Sequence, residues 1–189
     1  MAGGLQRLQR GTYSDRGDQN GWTYYDTFIL DGSTTSVRMF QGPWSGAKTK
    51  DLTNMKTAGM IPANQRFRVT AIGMQYVGHA QLLTLAKIHT LLAGCVAELI
   101  INGKDASYQK TLLQMIGWPL AVEAMPAATF AIQAGPMSMV RHADRLKYPI
   151  VLAANVPFEF DLSFAAANDA TLTADKIKIM LSGTLVRAM

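Results

Sequence analysis

The sequence predicts an all-β chain: an antiparallel two-sheet sandwich of jelly-roll type, with about eight strands, one short helix and an extended N-terminal arm. Three observations carry that expectation. Between Pro157 and Arg187 apolar side chains fall on alternate residues, first Phe158, Phe160, Leu162 and Phe164, then Ile177, Ile179, Leu181 and Leu185. Glu159, Asp161, Ser163, Lys178, Ser182 and Thr184 fill the positions between them, which is the period of strands with one buried and one wet face. Strand-like runs bounded by turn residues recur through the rest of the chain. No regular alternation of strand and helix argues for a parallel sheet.

Residues 1–21 read as an arm, because Gly3, Gly4, Gly11, Gly17 and Gly21 among Arg, Asp, Gln and Asn cannot build a core. Residues 22–189 then form a single domain. Trp22–Leu30 and Thr35–Phe40 are rich in aromatic and β-branched residues and predict two strands, separated by the turn-forming pair Asp31-Gly32. Gln41–Lys50 holds Gly42, Pro43, Trp44 and Gly46 and predicts a loop. Asp51–Ile61 is a polar segment that ends in Ala58-Gly59 before Pro62. Arg66–Val77 carries Phe67, Val69 and Ala71 on one face and Ile72, Met74 and Tyr76 on the other, which predicts a central strand or one packed between layers.

Over His79–Ala93 the period changes: Leu82, Leu85, Ile88 and Leu91 or Leu92 recur at helical spacing, and Gly94 follows where a left-handed residue ends a helix. Cys95–Asn102 returns to strand, Gly103-Lys104-Asp105 turns, and Ser107–Ile116 extends again. Gly117–Pro149, with Pro119, Pro126, Gly135 and Pro136, predicts a long contact-forming connection. Short strands at Phe130–Gln133 and Met137–Val140 interrupt it. Ile150–Ala153 leads into a closing antiparallel hairpin, whose strands are joined by Ala165–Asp175.

The chain has 189 residues, 49 % apolar and only 16 % charged. Charge so far below the usual quarter implies an outer surface partly hidden against other molecules. The net charge of +5 is dispersed along the sequence, which suits general attraction to polyanions or anionic lipid rather than a sequence-reading groove. Cys95 is alone, so an intramolecular disulfide is excluded and core packing is expected. The start, MAGGLQRLQRG, lacks the apolar segment of a secretory signal, and no membrane-spanning apolar window follows. Synthesis in a cytoplasm is expected.

The residues for catalysis are sparse. Of His79, His89 and His142, only His142 has a carboxylate at ligand-like spacing, Asp144, and a metal site needs three or so protein ligands. No nucleophile elbow, phosphate-binding loop or dinucleotide fingerprint occurs. Glu98, Glu123, Glu159 and Asp161 could supply an acid and a base to a glycosidase, but alternation puts Glu159 and Asp161 on the solvent or partner face. The expectation is therefore a non-enzyme with no catalytic residues, cofactor or metal. Contacts are the better use for the residues that stand out. Arg7 and Arg10 lie on the arm, Trp44 and Trp118 in loops that suit an interface anchor or a sugar platform, and Met137 among eleven adaptable methionines.

Several segments, in this order, resemble virion structural proteins of icosahedral bacteriophages. They are Tyr25-Asp26-Thr27, Asp51-Leu52-Thr53-Asn54-Met55 with Ala58–Pro62, Phe67–Tyr76, Glu98–Lys104 with Tyr108, Tyr148-Pro149, Phe158–Phe164, and Ile177–Arg187 with its L-x-G-x-L core. The resemblance implies a single-jelly-roll capsid subunit of a tailless phage, found in the virion. Its partners would be copies of itself and other virion proteins, with nonspecific contact to genome or an internal membrane. Arg7, Arg10, Trp44, Trp118 and Met137 are the candidate intersubunit contacts. Two alternatives stand beside it: a minor or decorating virion protein, and a lectin-like carbohydrate-binding sandwich.

Overall fold

The computed structural model describes residues 18–42, 48–77, 82–104, 106–116 and 144–187. In chain order the elements are β1 (Asp18–Ile29), β2 (Ser36–Met39), β3 (Gln65–Val77), α1 (Leu82–Ala93), β4 (Cys95–Ile101) and β5 (Tyr108–Thr111). Next come α2 (Leu112–Ile116), β6 (Asp144–Leu152), β7 (Phe158–Phe164) and β8 (Lys176–Arg187). They form two antiparallel four-stranded sheets, ordered β1-β8-β3-β6 and β2-β7-β4-β5. Pairing runs from the outside of the sequence inward: first strand with last, β2 with β7, β3 with β6, and β4 with β5. The expected all-β two-sheet sandwich is the fold observed.

The alternation read in β7 and β8 is the alternation of burial. Phe158, Phe160 and Leu162 on one side, and Ile177, Ile179, Leu181 and Leu185 on the other, face each other across a common core. Edge-to-face rings lock parts of it, as where Tyr24 meets Phe67 with centroids 5.0 Å apart and planes at 90°. Phe28 of β1 and Phe164 of β7, 6.3 Å apart, join the two sheets. Burying a large apolar side chain contributes about 1.5–3 kcal/mol, so this interior is the main source of stability.

Six expectations change. β7 and β8 are antiparallel strands but no hairpin, since β7 lies between β2 and β4 while β8 lies between β1 and β3. Alternation fixes which face is buried and leaves the hydrogen-bonding partner open. Ala165–Asp175, with a 3-10 turn at Ala170–Leu172 that buries Leu172, carries the chain from one sheet to the other. The apolar residues on both faces of β3 have a different cause from two-sided burial. The ladder shifts register between Val69 and Ala71, so Phe67 and Val69 before the bulge, and Ile72 and Met74 after it, all point to one core. An extra residue reverses the parity of the strand beyond it, and β3 is central, as expected.

Ser107–Ile116 is a strand only as far as Thr111. There Gln114 N–H donates to Thr111 Oγ1 at 3.3 Å and Thr111 N–H donates to Gln114 Oε1 at 3.1 Å, a reciprocal capping box that starts α2. Leu112 and Met115 of α2 are buried, and α2 contacts both β3 and β4, bridging the sheets. Strand β6 starts at Asp144, inside the predicted long connection, and β1 begins at Asp18, so Asp18–Gly21 pair with Thr184–Arg187 rather than ending an arm. Gly94 closes α1, its N–H donating to Thr90 O at 2.9 Å, but without a left-handed φ. A Cβ there would lie 3.1 Å from Thr90 O. The short strands expected at Phe130–Gln133 and Met137–Val140 lie outside the described residues.

The bulge of β3 also explains the glycine of the L-x-G-x-L run. A Cβ on Gly183 would stand 1.9 Å from the Arg68 carbonyl oxygen, so only glycine lets β8 lie against the bulged backbone. Gly183→Ala is expected to lower stability by about 3 kcal/mol, the scale of overpacking a backbone contact. Urea unfolding of the purified variant measures this; a midpoint equal to that of the unchanged chain would contradict the close approach.

Candidate functional site

The segment Lys48–Met55 laces onto the outer edge of β1 and holds an ion pair to a fully buried carboxylate. Asp26 is fully buried; its two oxygens accept from Lys48 Nζ at 2.7 Å each, and Phe40 N–H donates to Oδ2 at 2.6 Å. Phe40 takes a φ of 63° to present that N–H. Asn54 then pairs like an extra strand, accepting from Tyr25 N–H at 2.8 Å and donating to Thr23 O at 2.8 Å. Asp26 and Thr53 form an isolated antiparallel bridge. These bonds cover an exposed sheet edge, which otherwise invites pairing with other chains. A carboxylate whose oxygens are filled by a cation and a backbone N–H is a clamp rather than a base.

The other candidate acids among the described residues are likewise engaged, while Glu123 lies outside them. Glu159 and Asp161 occupy the outer face of β7, as alternation predicts, and Arg38 bridges them at 3.1 Å each. Glu98, also outward, accepts from Gln109 Nε2 at 2.5 Å. Asp144 pairs with Lys110 at 2.7 Å, while its predicted neighbour His142 and His79 lie outside the described residues. Buried Asp175 accepts from Tyr76 Oη at 2.5 Å, and burial together with this bond raises the Tyr76 phenol above its ordinary range. Among the described residues no group of three His, Cys, Asp or Glu side chains could hold a metal. No helix among them is long and apolar enough to cross a membrane.

Cys95 is fully buried at the start of β4, and desolvation pushes its thiol up to about 12. A cavity of about 410 Å³ opens between the end of α1 and Ala165–Asp169, lined by Lys87, Leu91, Phe164 and Leu172. Lys87 is tied to Asp169 at 3.1 Å across it. Hydrogen bonds from the Thr171 hydroxyl and N–H, with Lys87 adding to them, lower the Asp169 carboxyl to about 2. Buried Asn168 beside it finds no hydrogen-bond partner among the described residues.

All five expected contact residues, Arg7, Arg10, Trp44, Trp118 and Met137, lie outside the described residues. What sequence reading missed is the division of charge between the two outer faces. Register puts Arg66, Arg68, Lys176 and Lys178 on the outside of the β1-β8-β3-β6 sheet, and Glu98, Glu159 and Asp161 on the outside of the other. The signal was present as i, i+2 cation pairs in two strands whose alternate residues are apolar. The sequence matches no protein-family model and no curated protein.

Two outcomes are expected. Asp26→Ala leaves Lys48 and the Phe40 N–H without their acceptor and should cost about 3 kcal/mol, read as a lower urea midpoint; a change under about 0.5 kcal/mol, the usual surface value, would mean the clamp is idle. Because the Cys95 thiol is raised in the folded chain, its share of stability is complete below the unfolded value of about 8.5 and is lost as pH rises toward 12. Cys95→Ala should flatten the alkaline limb of stability against pH. Native protein at pH 8 should resist a thiol reagent until unfolded, and rapid labelling would contradict the burial.

Proposed function

We propose that this chain is a structural capsid protein, the major single-jelly-roll subunit of an icosahedral, tailless bacteriophage shell, and that it acts without catalysis. The observation that carries the reading is the inward order of strand pairing. First-with-last pairing continued to β4 with β5, then rolled so that β8 meets β3 and β7 meets β4, gives the strand orders expected of a jelly roll built from two Greek keys. That architecture serves capsids, lectins and cupins alike. The ordered resemblance to virion proteins and the low charge content favour the capsid.

The mechanism is burial. A stiff sandwich presents loops and sheet faces to its neighbours, each standard contact removing roughly 800 Å² per partner, and repetition under closed symmetry makes weak contacts collectively stable. Residues 1–17, with Arg7 and Arg10, together with Trp44, Trp118 and Met137, supply contacts beyond the sandwich. The edge-covering segment Lys48–Met55 suits this role, since it keeps β1 from open-ended pairing while subunits accumulate.

Sedimentation velocity and negative-stain microscopy of the full chain test the reading. Capsomers or closed particles, insensitive to added sugars, are expected. A monomer persisting at high concentration, or a small oligomer that binds glycans, would overturn it in favour of a lectin-like sandwich.

A further inference from the structure

The two outer faces of the sandwich differ in chemistry. On the β1-β8-β3-β6 face, Arg68 and Arg145 are exposed and Arg66, Lys176 and Lys178 are partly so. Register sets these cations in rows. Arg68 lies beside Thr184 and Val151, Arg66 beside Val186, Lys176 between Ile29 and Val77, and Lys178 between Thr27 and Gln75. Among the described residues no carboxylate has its position on this face. The nearest is Asp51, on the segment beyond the β1 edge, whose charge acts on Lys176 and Lys178. The exposed large apolar side chains of the described residues, Trp22, Ile29, Val77, Tyr148 and Val151, also all belong to this sheet's strands. The opposite sheet turns Glu98, Glu159 and Asp161 outward, with Arg38 among them.

We infer that the outer face of the β1-β8-β3-β6 sheet binds the sugar–phosphate backbone of nucleic acid, independently of its sequence. This goes beyond a role in shell building and stands whether or not the chain forms particles. Charge complementarity is the first ground. Cations two residues apart on one strand face are about 7 Å apart, so Arg66 with Arg68 and Lys176 with Lys178 each offer neighbouring charges to successive phosphates. The second ground is the strip between the two cation clusters. It consists of Thr23, Tyr25, Ala71, Gly73, Met180 and Ser182, of which the hydroxyls of Thr23, Tyr25 and Ser182 are of the kind that contact phosphate and sugar. At the Arg66–Arg68 end a shallow groove of about 270 Å³, bordered by Gln19, Pro149, Val151 and Thr184, gives a strand somewhere to lie. Lys178 rests 4.7 Å from the centre of the Tyr25 ring, which orients its ammonium.

Fluorescence anisotropy of a labelled oligo-dT with the full chain tests this. Binding at low salt should weaken steeply as salt rises. Arg68→Gln with Lys178→Gln should lower affinity at least about tenfold and reduce the logarithmic salt slope by about 0.7 per cation removed. Asp51→Asn should tighten binding and Arg38→Gln, on the other face, should leave it unchanged; thermal unfolding checks that each variant folds. If the double variant fails to fold, Arg145→Gln and Asp51→Asn decide alone. The assignment is overturned by any of four results: no binding at low salt, equal loss in Arg38→Gln, undiminished affinity in the folded double variant, or binding to phosphatidylserine vesicles but not to oligo-dT. It is overturned too if the double variant alters only self-association, since the face would then meet a second copy.

Discussion

The position of β8 between β1 and β3 is the constraint on which the rest of the structure depends. Its register runs along its whole length with both neighbours, from Lys176 beside Ile29 and Val77 to Arg187 beside Asp18 and Gln65. The first and third strands therefore acquire a common partner only when the last segment of the described chain arrives. Until then both expose unpaired backbone, and the long sequence separation makes that closure entropically expensive. The bulge in β3 and the missing side chain of Gly183 are the local concessions that let this strand fit.

Closure also decides which side chains become interior and which become surface. With β8 in place, Ile177, Ile179, Leu181 and Leu185 face Phe158, Phe160 and Leu162 of the opposite sheet. The alternate residues of the same strands are committed to the outside. Lys176 and Lys178 are thereby set on the same outer face as Arg66 and Arg68 of β3, and Glu159 and Asp161 beside Arg38, on opposite sides of the molecule. A net charge that looks scattered along the sequence is sorted in space by parity alone. The core and the surface chemistry are thus two consequences of one pairing.

Parity was the part of this fold most legible in the sequence. It located β7, β8 and most of β1 and β4, and the change of period located α1. What it left open was partnership, because a strand with one buried face reads the same in a hairpin or across a sandwich. The bulge at Val69–Ala71 misled for a related reason: a one-residue insertion puts core residues on both parities and imitates two-sided burial. The start of α2 was legible as Thr111-x-x-Gln114, a cap overridden by the β-like composition before it. Strand β6 was hidden by Asp144, Arg145 and Lys147, polar residues that an edge strand tolerates. The clamp of Asp26 by Lys48 and Phe40 had no readable signal, since it joins residues brought together by a loop and one left-handed φ.

Residue-resolved amide hydrogen exchange on the folded chain tests the central claim most directly. With β8 as the shared inner strand, the amides of Ile179 and Leu181 exchange in the slowest class, together with those of Tyr24 in β1 and Ile72 in β3, and all are released in one cooperative opening. If β7 and β8 instead open together as a local unit while β1 and β3 keep their protection, the last strand is not what joins them, and the division of the surface derived from it fails.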